Sequence, residues 1–193
     1  MVLLTRLRVG LDGDGVVLDG AEAKSRASRI LFGIDIPPRF AKRELLVREG
    51  IITSKQYDAI KDFAYKVREQ ALTFQFVPGA REHIDRMLRD GWFVPVISSR
   101  PEVAARHIVE LFQLHGWDIP VLSNGMSKDK TAIVRDLGGL DVYVDDSIEA
   151  LQCLVGVVPR LYLFDQPYNR DEDPGDIAVR VYSWQEFYSL LLP

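Results

Sequence analysis

Short apolar runs separated by helical patterns recur along most of the chain. Five runs are candidates for strands, and they cover residues 7–11, 92–97, 119–122, 142–144 and 160–164. Between them apolar side chains fall on one helix face, as at positions 80, 84, 87 and 88. Strands that alternate with helices of about 10 to 15 residues are typical of a parallel sheet covered on both faces. The pattern therefore predicts an α/β fold with three layers.

Three sequence signatures mark the starts of helices. Each pairs a Ser or Thr with a Glu or Gln three residues later, which is the pattern of a capping box. The two side chains of such a box bond backbone N–H groups of the first turn that otherwise lack a partner. The pairs are Thr53 with Gln56, Ser99 with Glu102, and Ser183 with Glu186. We therefore expect a helix to begin just after residues 53, 99 and 183.

The segment between the first strand and the helix at 80–88 is too long for a simple crossover. Its roughly 60 residues exceed what a loop holds without structure of its own. Apolar side chains at 57, 60, 63, 64 and 67 recur at helical spacing. This pattern predicts a small helical cap, residues 16–76, inserted after the first strand. The core then comprises residues 1–15 and 77–193.

The composition is that of a globular protein that can bury a substantial core. The chain has 193 residues, of which 47% are hydrophobic, and its formal net charge is −4 at pH 7. A negative net charge argues against a surface that binds nucleic acid polymers, but it is compatible with a local positive pocket for a small phosphate. The expected partner is therefore a small molecule rather than a nucleic acid.

Few residues bear on the cellular compartment. Cys153 is the only cysteine of the chain, so no intrachain disulfide can form. The apolar residues 2–4 are followed at once by Arg6 and Arg8, which leaves too short a stretch for a signal peptide or a membrane span. We expect a cytoplasmic protein with no membrane partner. A homodimer is compatible with the sequence, which does not fix the oligomeric state.

Two carboxylates stand at the end of the first apolar run, in the order Asp12, Gly13, Asp14, Gly15. Side chains alternate along a strand, so residues two apart point to the same side. Two like charges held together need a proton or a cation, and a divalent ion such as Mg2+ also attracts phosphate oxygens. The pair therefore favours phosphoryl chemistry. A tight Asp-Gly turn or a helix-capping Asp is the structural alternative.

Polar residues also follow two further predicted strands. Ser98, Ser99 and Arg100 follow the second apolar run, and Asp145 and Asp146 follow the fourth. Ligands of parallel α/β sheets collect beyond the carboxyl ends of the strands, where a hydroxyl or a guanidinium can hold a phosphate oxygen. The capping box also explains Ser99, and a solvated surface charge also explains Arg100.

With Lys128 and Lys130 before a predicted helix, the chain carries an acid pair, a hydroxyl, a lysine and a second acid pair in that order. In this respect the sequence resembles the haloacid dehalogenase (HAD) superfamily of phosphohydrolases over nearly its whole length. The segment 12–16 resembles motif I, Ser98 motif II, Lys130 motif III, and the pair Asp145 and Asp146 motif IV. An acid at position 14 is the feature that separates phosphatases from dehalogenases in this superfamily.

The resemblance implies a Rossmann-like core with an inserted cap, and a mechanism that uses Mg2+. Asp12 is then the nucleophile that forms an aspartyl-phosphate, and Asp14 is the general acid and base. Ser98 and Lys130 are expected to hold the transferring phosphoryl group, with Lys128 as the alternative lysine. The expected metal ligands are Asp12, the backbone carbonyl of Asp14, and Asp145, with Asp146 as a water-mediated ligand or a partner of Lys130.

A later segment, residues 163–169, is similar to a segment of the small 5'-nucleotidases that dephosphorylate deoxyribonucleoside monophosphates. Its Pro-Tyr-Asn turn also has a plain structural explanation. We expect a nucleoside 5'-monophosphate as substrate, with Ser99, Arg100 and Asn169 as binding residues. The alternatives are a phosphatase of sugars or other small metabolites, and a non-catalytic protein that binds a phosphorylated ligand.

Overall fold

A computed structural model of the protein describes residues 6–192. The apolar residues 2–4 and the outermost ends of the predicted core lie outside the described residues. Within 6–192, no helix combines the length and the apolar composition that crossing a bilayer requires.

A single parallel sheet forms the centre of the fold. Its strands are β1 (Val9–Asp12), β2 (Val96–Ser98), β3 (Val121–Ser123), β4 (Val142–Asp145), β5 (Arg160–Phe164) and β6 (Val179–Val181). Their order across the sheet is β3-β2-β1-β4-β5-β6. The five predicted strands are all present, and the α/β prediction is confirmed. The edge strand β6 was not predicted, because three residues are too few to show a period of two.

Helices cover both faces of this sheet. They are α1 (Gly20–Phe32), α2 (Arg43–Arg48), α3 (Ser54–Lys66), α4 (Arg68–Ala71), α5 (Ala80–Arg89), α6 (Glu102–Leu114), α7 (Thr131–Asp136), α8 (Ile148–Cys153) and α9 (Trp184–Leu191). One apolar cluster joins the face that carries Leu11 and Val144 to α5, α6 and α9. A second cluster joins the opposite face, with Tyr143 and Leu163, to α7 and α8. Helices thus cover each face of the sheet and exclude solvent from it, as is typical of a parallel sheet.

The first four helices lie in the segment predicted to be a cap. An antiparallel bridge between Leu18 and Phe76 joins the two ends of this segment. Buried side chains of α3, such as Ile60 and Tyr65, belong to the same apolar cluster as one face of the sheet. The helices are therefore where the sequence predicts them, and they pack on the core through a continuous apolar contact. Their division from the core as a separate cap, residues 16–76, stays a prediction.

One of the three predicted capping boxes is complete, and a second has only the bond to its Ser side chain. Thr53 and Gln56 make both reciprocal bonds at the start of α3, and Ser183 accepts a hydrogen bond from Glu186 N at the start of α9. The box predicted for Ser99 is wrong. Helix α6 begins at Glu102 after Pro101, so Ser99 lies too far upstream to reach the first free N–H groups. Its hydroxyl donates instead to the Ser127 carbonyl at 3.0 Å.

The strand order reverses between β1 and β4. Such a reversal is the point where the crossovers leave in opposite directions and open a crevice at the carboxyl edge of the sheet. Leu11 pairs with Val144 across this gap, which places Asp12 beside Asp145. On the other side Asp12 pairs with Ile97, so Ser98 follows directly. The register thus brings three of the predicted polar segments to one edge.

Candidate active site

A buried lysine ties the ends of β1 and β4 together. Lys130, just before α7, donates from Nζ to Asp12 Oδ1, to the Tyr143 hydroxyl at 2.7 Å and to Asp145 Oδ2 at 2.8 Å. Its side chain is 1% exposed. Gly10 makes room for the Tyr143 ring, because a Cβ at position 10 would lie 2.6 Å from Tyr143 Cδ2. Lys130 therefore contacts both carboxylates at once and offsets part of their negative charge.

Burial and crowding alter the proton affinities of this cluster. Burial acts to lower the pKa of Lys130, but the negative charges of Asp12 and Asp145 outweigh it and leave that pKa well above its ordinary value. Burial, with the neighbouring Asp145 and Asp146, raises the pKa of Asp12 despite the attraction of Lys130. One lysine is thus too little positive charge for the acids gathered here, and the deficit calls for a further cation.

Three carboxylates meet where that cation would lie. Asp12, Asp145 and Asp146 each offer an oxygen, and these oxygens all lie within 4.8 Å of one another. Hard carboxylate oxygens are the ligands that Mg2+ selects, so the donor set fits this ion. The Asp14 carboxylate is not in this cluster because its side chain turns to Arg100. Its backbone carbonyl stays a predicted ligand.

Asp146 is held from the far side by the loop after β5. Tyr168 donates its hydroxyl to Asp146 Oδ2. Burial, together with the charge of Asp145, raises the pKa of Asp146 to about 6. Gly15 lets these groups approach, because its φ is +82° and a Cβ there would lie 2.4 Å from Asp146 Oδ2 and 2.5 Å from the Tyr168 hydroxyl. Any larger residue at position 15 would push the second acid pair away from the first.

Asp14, the second acid of motif I, forms an ion pair with Arg100. Arg100 donates from Nε and Nη2 to the two oxygens of Asp14, at 2.9 and 2.7 Å. The guanidinium packs against the rings of Tyr65 and Phe74, 4.2 and 4.3 Å from their centroids. The Arg100 side chain is 2% exposed, whereas that of Asp14 is 29% exposed. Asp14 is therefore presented to the cavity by an arginine that the inserted segment holds in place.

The two predicted serines differ in accessibility. The Ser98 hydroxyl is buried and accepts a hydrogen bond from Arg100 N at 3.2 Å. Ser99 is partly exposed and lines the cavity with Arg100. Lys128, the alternative lysine, also lines the cavity, but it is exposed and donates only to the Ser147 hydroxyl at 3.3 Å. Of the two lysines, Lys130 is the one in contact with Asp12.

Asn169 does not face the cavity, and the geometry corrects its predicted role in binding substrate. Its Nδ2 donates to the carbonyls of Asp146 and Phe164, both at 2.9 Å. Its Oδ1 accepts from Gln166 N at 2.9 Å and from Arg180 at 3.2 Å. The side chain is fully buried and all its hydrogen-bonding groups are engaged. Asn169 fixes the loop that carries Tyr168, and it has no group left for a ligand.

These residues surround a cavity of about 600 Å³, which is within the usual range for small-molecule sites. Its floor is the carboxyl edge of the sheet. Its roof comes from the inserted helices, and the roof side chains include Lys24, Lys42, Arg43, Tyr57, Lys61 and Tyr65. Sequence reasoning missed these cations, because a lysine on an amphipathic helix has no local signal that distinguishes a cavity from solvent.

Comparison with known proteins gives consistent results. Residues 6–193 match the model of the family described as 5' nucleotidase, deoxy (pyrimidine), cytosolic type C protein (NT5C). A provisionally named 5'(3')-deoxyribonucleotidase of Chlorobaculum tepidum is 27% identical over 146 residues, which are 74% of this chain and 68% of the relative.

Solved structures share the fold. A provisionally assigned phosphatase from Clostridium difficile superposes with a TM-score of 0.67 at 16% identity, over 97% of this chain and 100% of the other. A provisionally assigned phosphoglycolate phosphatase from Lactobacillus delbrueckii gives 0.67 at 15% identity, over 98% and 99%. At such identities the likeness concerns the fold, and it confirms the HAD-like architecture.

Proposed function

The chain belongs to the NT5C family of 5' nucleotidases, hydrolases of phosphomonoesters with a HAD-like fold, and from this premise we propose that it is a Mg2+-dependent 5'-nucleotidase acting through an aspartyl-phosphate on Asp12. The observation that carries the proposal is the contact of buried Lys130 with Asp12 and Asp145 at the strand reversal. It leaves a carboxylate oxygen at the cavity floor beside a fixed positive charge. The proposed substrate is a nucleoside 5'-monophosphate, supported by the family and by the Chlorobaculum relative.

The roles of the residues in the first half-reaction follow from their surroundings. Asp12 attacks phosphorus in line with the leaving oxygen, and the phosphoryl group becomes bonded to its carboxylate. Lys130 offsets the charge of the incoming phosphate, which otherwise meets repulsion of about 4 kcal/mol per unit charge at 4 Å and an effective dielectric near 20. Mg2+, held by Asp12, Asp145 and Asp146, would supply further positive charge for the phosphoryl oxygens.

Asp14 serves both half-reactions. Its carboxyl group protonates the departing alkoxide and then takes a proton from the water that attacks the aspartyl-phosphate. Arg100 fixes the orientation of this carboxyl group through two hydrogen bonds. Ser98 fixes Arg100 in turn, since its hydroxyl accepts from Arg100 N. The predicted direct contact of Ser98 with phosphate stays a proposal, and so do the cytoplasmic location and the homodimer.

A phosphatase assay tests the proposal. The protein is assayed with and without Mg2+ against deoxyribonucleoside and ribonucleoside 5'-monophosphates, sugar phosphates and 4-nitrophenyl phosphate. We expect turnover that needs Mg2+, favours nucleotides, and falls by roughly 10⁴-fold or more in Asp12→Asn. An exposed acid remote from the cavity provides the matched control, Asp118→Asn. Full activity in Asp12→Asn would exclude Asp12 as the nucleophile. Turnover of sugar phosphates alone would retain the chemistry and replace the substrate class.

A further inference from the structure

The two walls of the cavity carry opposite charges. Four carboxylates, Asp12, Asp14, Asp145 and Asp146, lie at the sheet edge. The wall formed by the inserted helices contributes four cations, Lys24, Lys42, Arg43 and Lys61, against one carboxylate, Glu44. The acids of the floor have counter-charges of their own in Lys130 and Arg100 and in the proposed metal ion. The cations of the roof therefore need a separate explanation.

Lys24 is a half-buried cation of the roof. It lies on α1, and its Nζ donates to the Ala41 carbonyl at 2.7 Å. No ion pair joins it to an acid among residues 6–192. Burial lowers the pKa of its ammonium group even though Asp14 and Asp146 attract the charge. An ammonium group has three donors, so Lys24 keeps donors available for a ligand in the cavity.

Lys61 and Arg43 extend this charge along the roof. Lys61, on α3, is half-buried, and within the described part of the chain it forms no ion pair. Arg43 lies over the Tyr57 ring, 5.8 Å from its centroid, and pairs with Asp58 only at 3.5 Å. Lys42 differs, because Glu172 holds it at 2.8 Å. Among the described residues, Lys24 and Lys61 are thus the roof cations that form no ion pair with an acid.

A neutral leaving group would not use these charges. The sugar and base of a simple monophosphate present hydroxyl, amide and ring groups, and packing them against unpaired ammonium groups costs desolvation without a compensating ion pair. An anionic group in the same place forms charge-assisted hydrogen bonds and relieves the repulsion between the cations. The cavity has room for such an extended ligand, since its volume is about 600 Å³.

We propose that the leaving group of the substrate carries a second anionic group, a phosphate or a carboxylate, which Lys24 and Lys61 bind at the roof of the cavity. The proposal rests on the phosphatase function above and extends its substrate class beyond simple monophosphates, with doubly anionic esters such as a nucleoside 3',5'-bisphosphate as the preferred substrates. Arg43, at the exposed rim, attracts the same group. In this proposal the residues at the sheet edge catalyse the hydrolysis, and the cations of the inserted helices select substrates that carry a second negative charge.

Paired substrates test this selection. The first pair is a deoxynucleoside 5'-monophosphate and its 3',5'-bisphosphate, and the second is 2-hydroxyethyl phosphate and 2-phosphoglycolate. We expect the doubly anionic member of at least one pair to have the higher kcat/KM, and the ratio within that pair to fall about tenfold in Lys61→Met and in Lys24→Met. Preference within the first pair alone identifies a phosphate, and preference within the second pair alone identifies a carboxylate.

The control is Lys55→Met, which removes an exposed lysine from the same helix as Lys61 but outside the cavity. We expect it to leave both ratios unchanged. The proposal is overturned if neither ratio exceeds one, if Lys61→Met leaves the preferred ratio unaltered, or if Lys55→Met lowers it equally.

Binding separates this inference from the proposed function. Calorimetry with Asp12→Asn measures the affinity for the bisphosphate and the monophosphate without hydrolysis, with and without Lys61→Met. Tighter binding of the bisphosphate that Lys61→Met removes would support the roof site even if the wild-type protein hydrolyses neither ester. Equal affinities would overturn it even if the protein proves to be an active nucleotidase.

Discussion

Lys130 and Arg100 each hold one aspartate of motif I, yet they are fixed by different parts of the molecule. Lys130 contacts Asp12, Tyr143 and Asp145, all from the central strands β1 and β4. Arg100 contacts Asp14 but packs against Tyr65 and Phe74, which both come from the inserted segment. The proposed nucleophile is therefore organised by the core, through β1, β4 and the lysine that precedes α7, while the proposed acid depends on the packing of the inserted helices against the core.

This difference has a mechanistic consequence. A phosphoryl acceptor must be ready whenever a phosphate arrives, and a rigid parallel sheet provides that preorganisation. A general acid is useful only when a leaving group is present, and in the proposed reaction the inserted segment is the part of the protein that would contact the leaving group. Coupling Asp14 to Tyr65 and Phe74 through Arg100 makes proton transfer sensitive to how the roof is packed.

Of the cations Lys130 and Arg100, Lys130 is expected to have the larger effect, because it contacts the proposed nucleophile. Lys130→Met removes the charge shared by Asp12 and Asp145, and we expect kcat to fall by about 10³-fold with every ester, regardless of its leaving group. The loss is general because the phosphoryl group itself is affected.

The matched control, Lys128→Met, removes an exposed charge from the same segment. We expect kcat to fall less than about tenfold in this variant, because exposed charges interact weakly. Steady-state kinetics on both variants measure this. A greater loss in Lys128→Met would assign the motif III role to Lys128.

A smaller and selective effect is expected for the arginine. Arg100→Met removes the two hydrogen bonds that orient the Asp14 carboxyl group. We therefore expect kcat to fall by about 10- to 100-fold with an alkyl phosphate, whose alkoxide needs a proton. With 4-nitrophenyl phosphate, whose leaving group is a weak base, the loss should be less than about threefold. A change in the pH profile of kcat should accompany the first loss only.

The exposed arginine of α6, Arg106, gives the control variant Arg106→Met. Equal losses with both esters in Arg100→Met would mean that Arg100 supports the fold and does not position the acid, and the contrast with Lys130 would disappear.

Much of the site could be predicted, because its key residues follow buried strands. A strand of three or four apolar residues gives a clear local signal, and the next residue lies at the carboxyl edge of a parallel sheet. Asp12, Ser98 and Asp145 each end such a strand. Lys130 was placed by the order of the motifs, and its contact with Asp12 agrees with that placement.

What the sequence did not reveal depends on contacts between distant segments. Arg100 could be placed beyond β2, but its partners Tyr65 and Phe74 are set by how α3 and α4 dock, for which no local pattern exists. Lys24 and Lys61 occupy positions that an isolated helix would expose to solvent. Asn169 was misjudged because a Pro-Tyr-Asn turn says nothing about which carbonyls its amide will reach.

The smallest effect concerns stability, and it shows how the floor behaves without metal. A carboxyl group whose pKa is higher in the folded than in the unfolded protein binds its proton more tightly when folded, so its contribution to stability rises as the pH falls through the folded pKa. The pKa of Asp146 is raised to about 6 by burial and by the charge of Asp145. In EDTA, we expect the free energy of unfolding to increase by ~1–2 kcal/mol through this group as the pH falls from 7.5 to 5.

Three comparisons test this origin. Asp146→Asn should lack the increase, Asp118→Asn should keep it, and saturating Mg2+ should remove it from the wild type. Denaturant unfolding at both pH values measures the difference. If wild type and Asp146→Asn showed the same pH dependence in EDTA, crowding of acids at the floor would no longer explain why Lys130 needs a metal ion beside it.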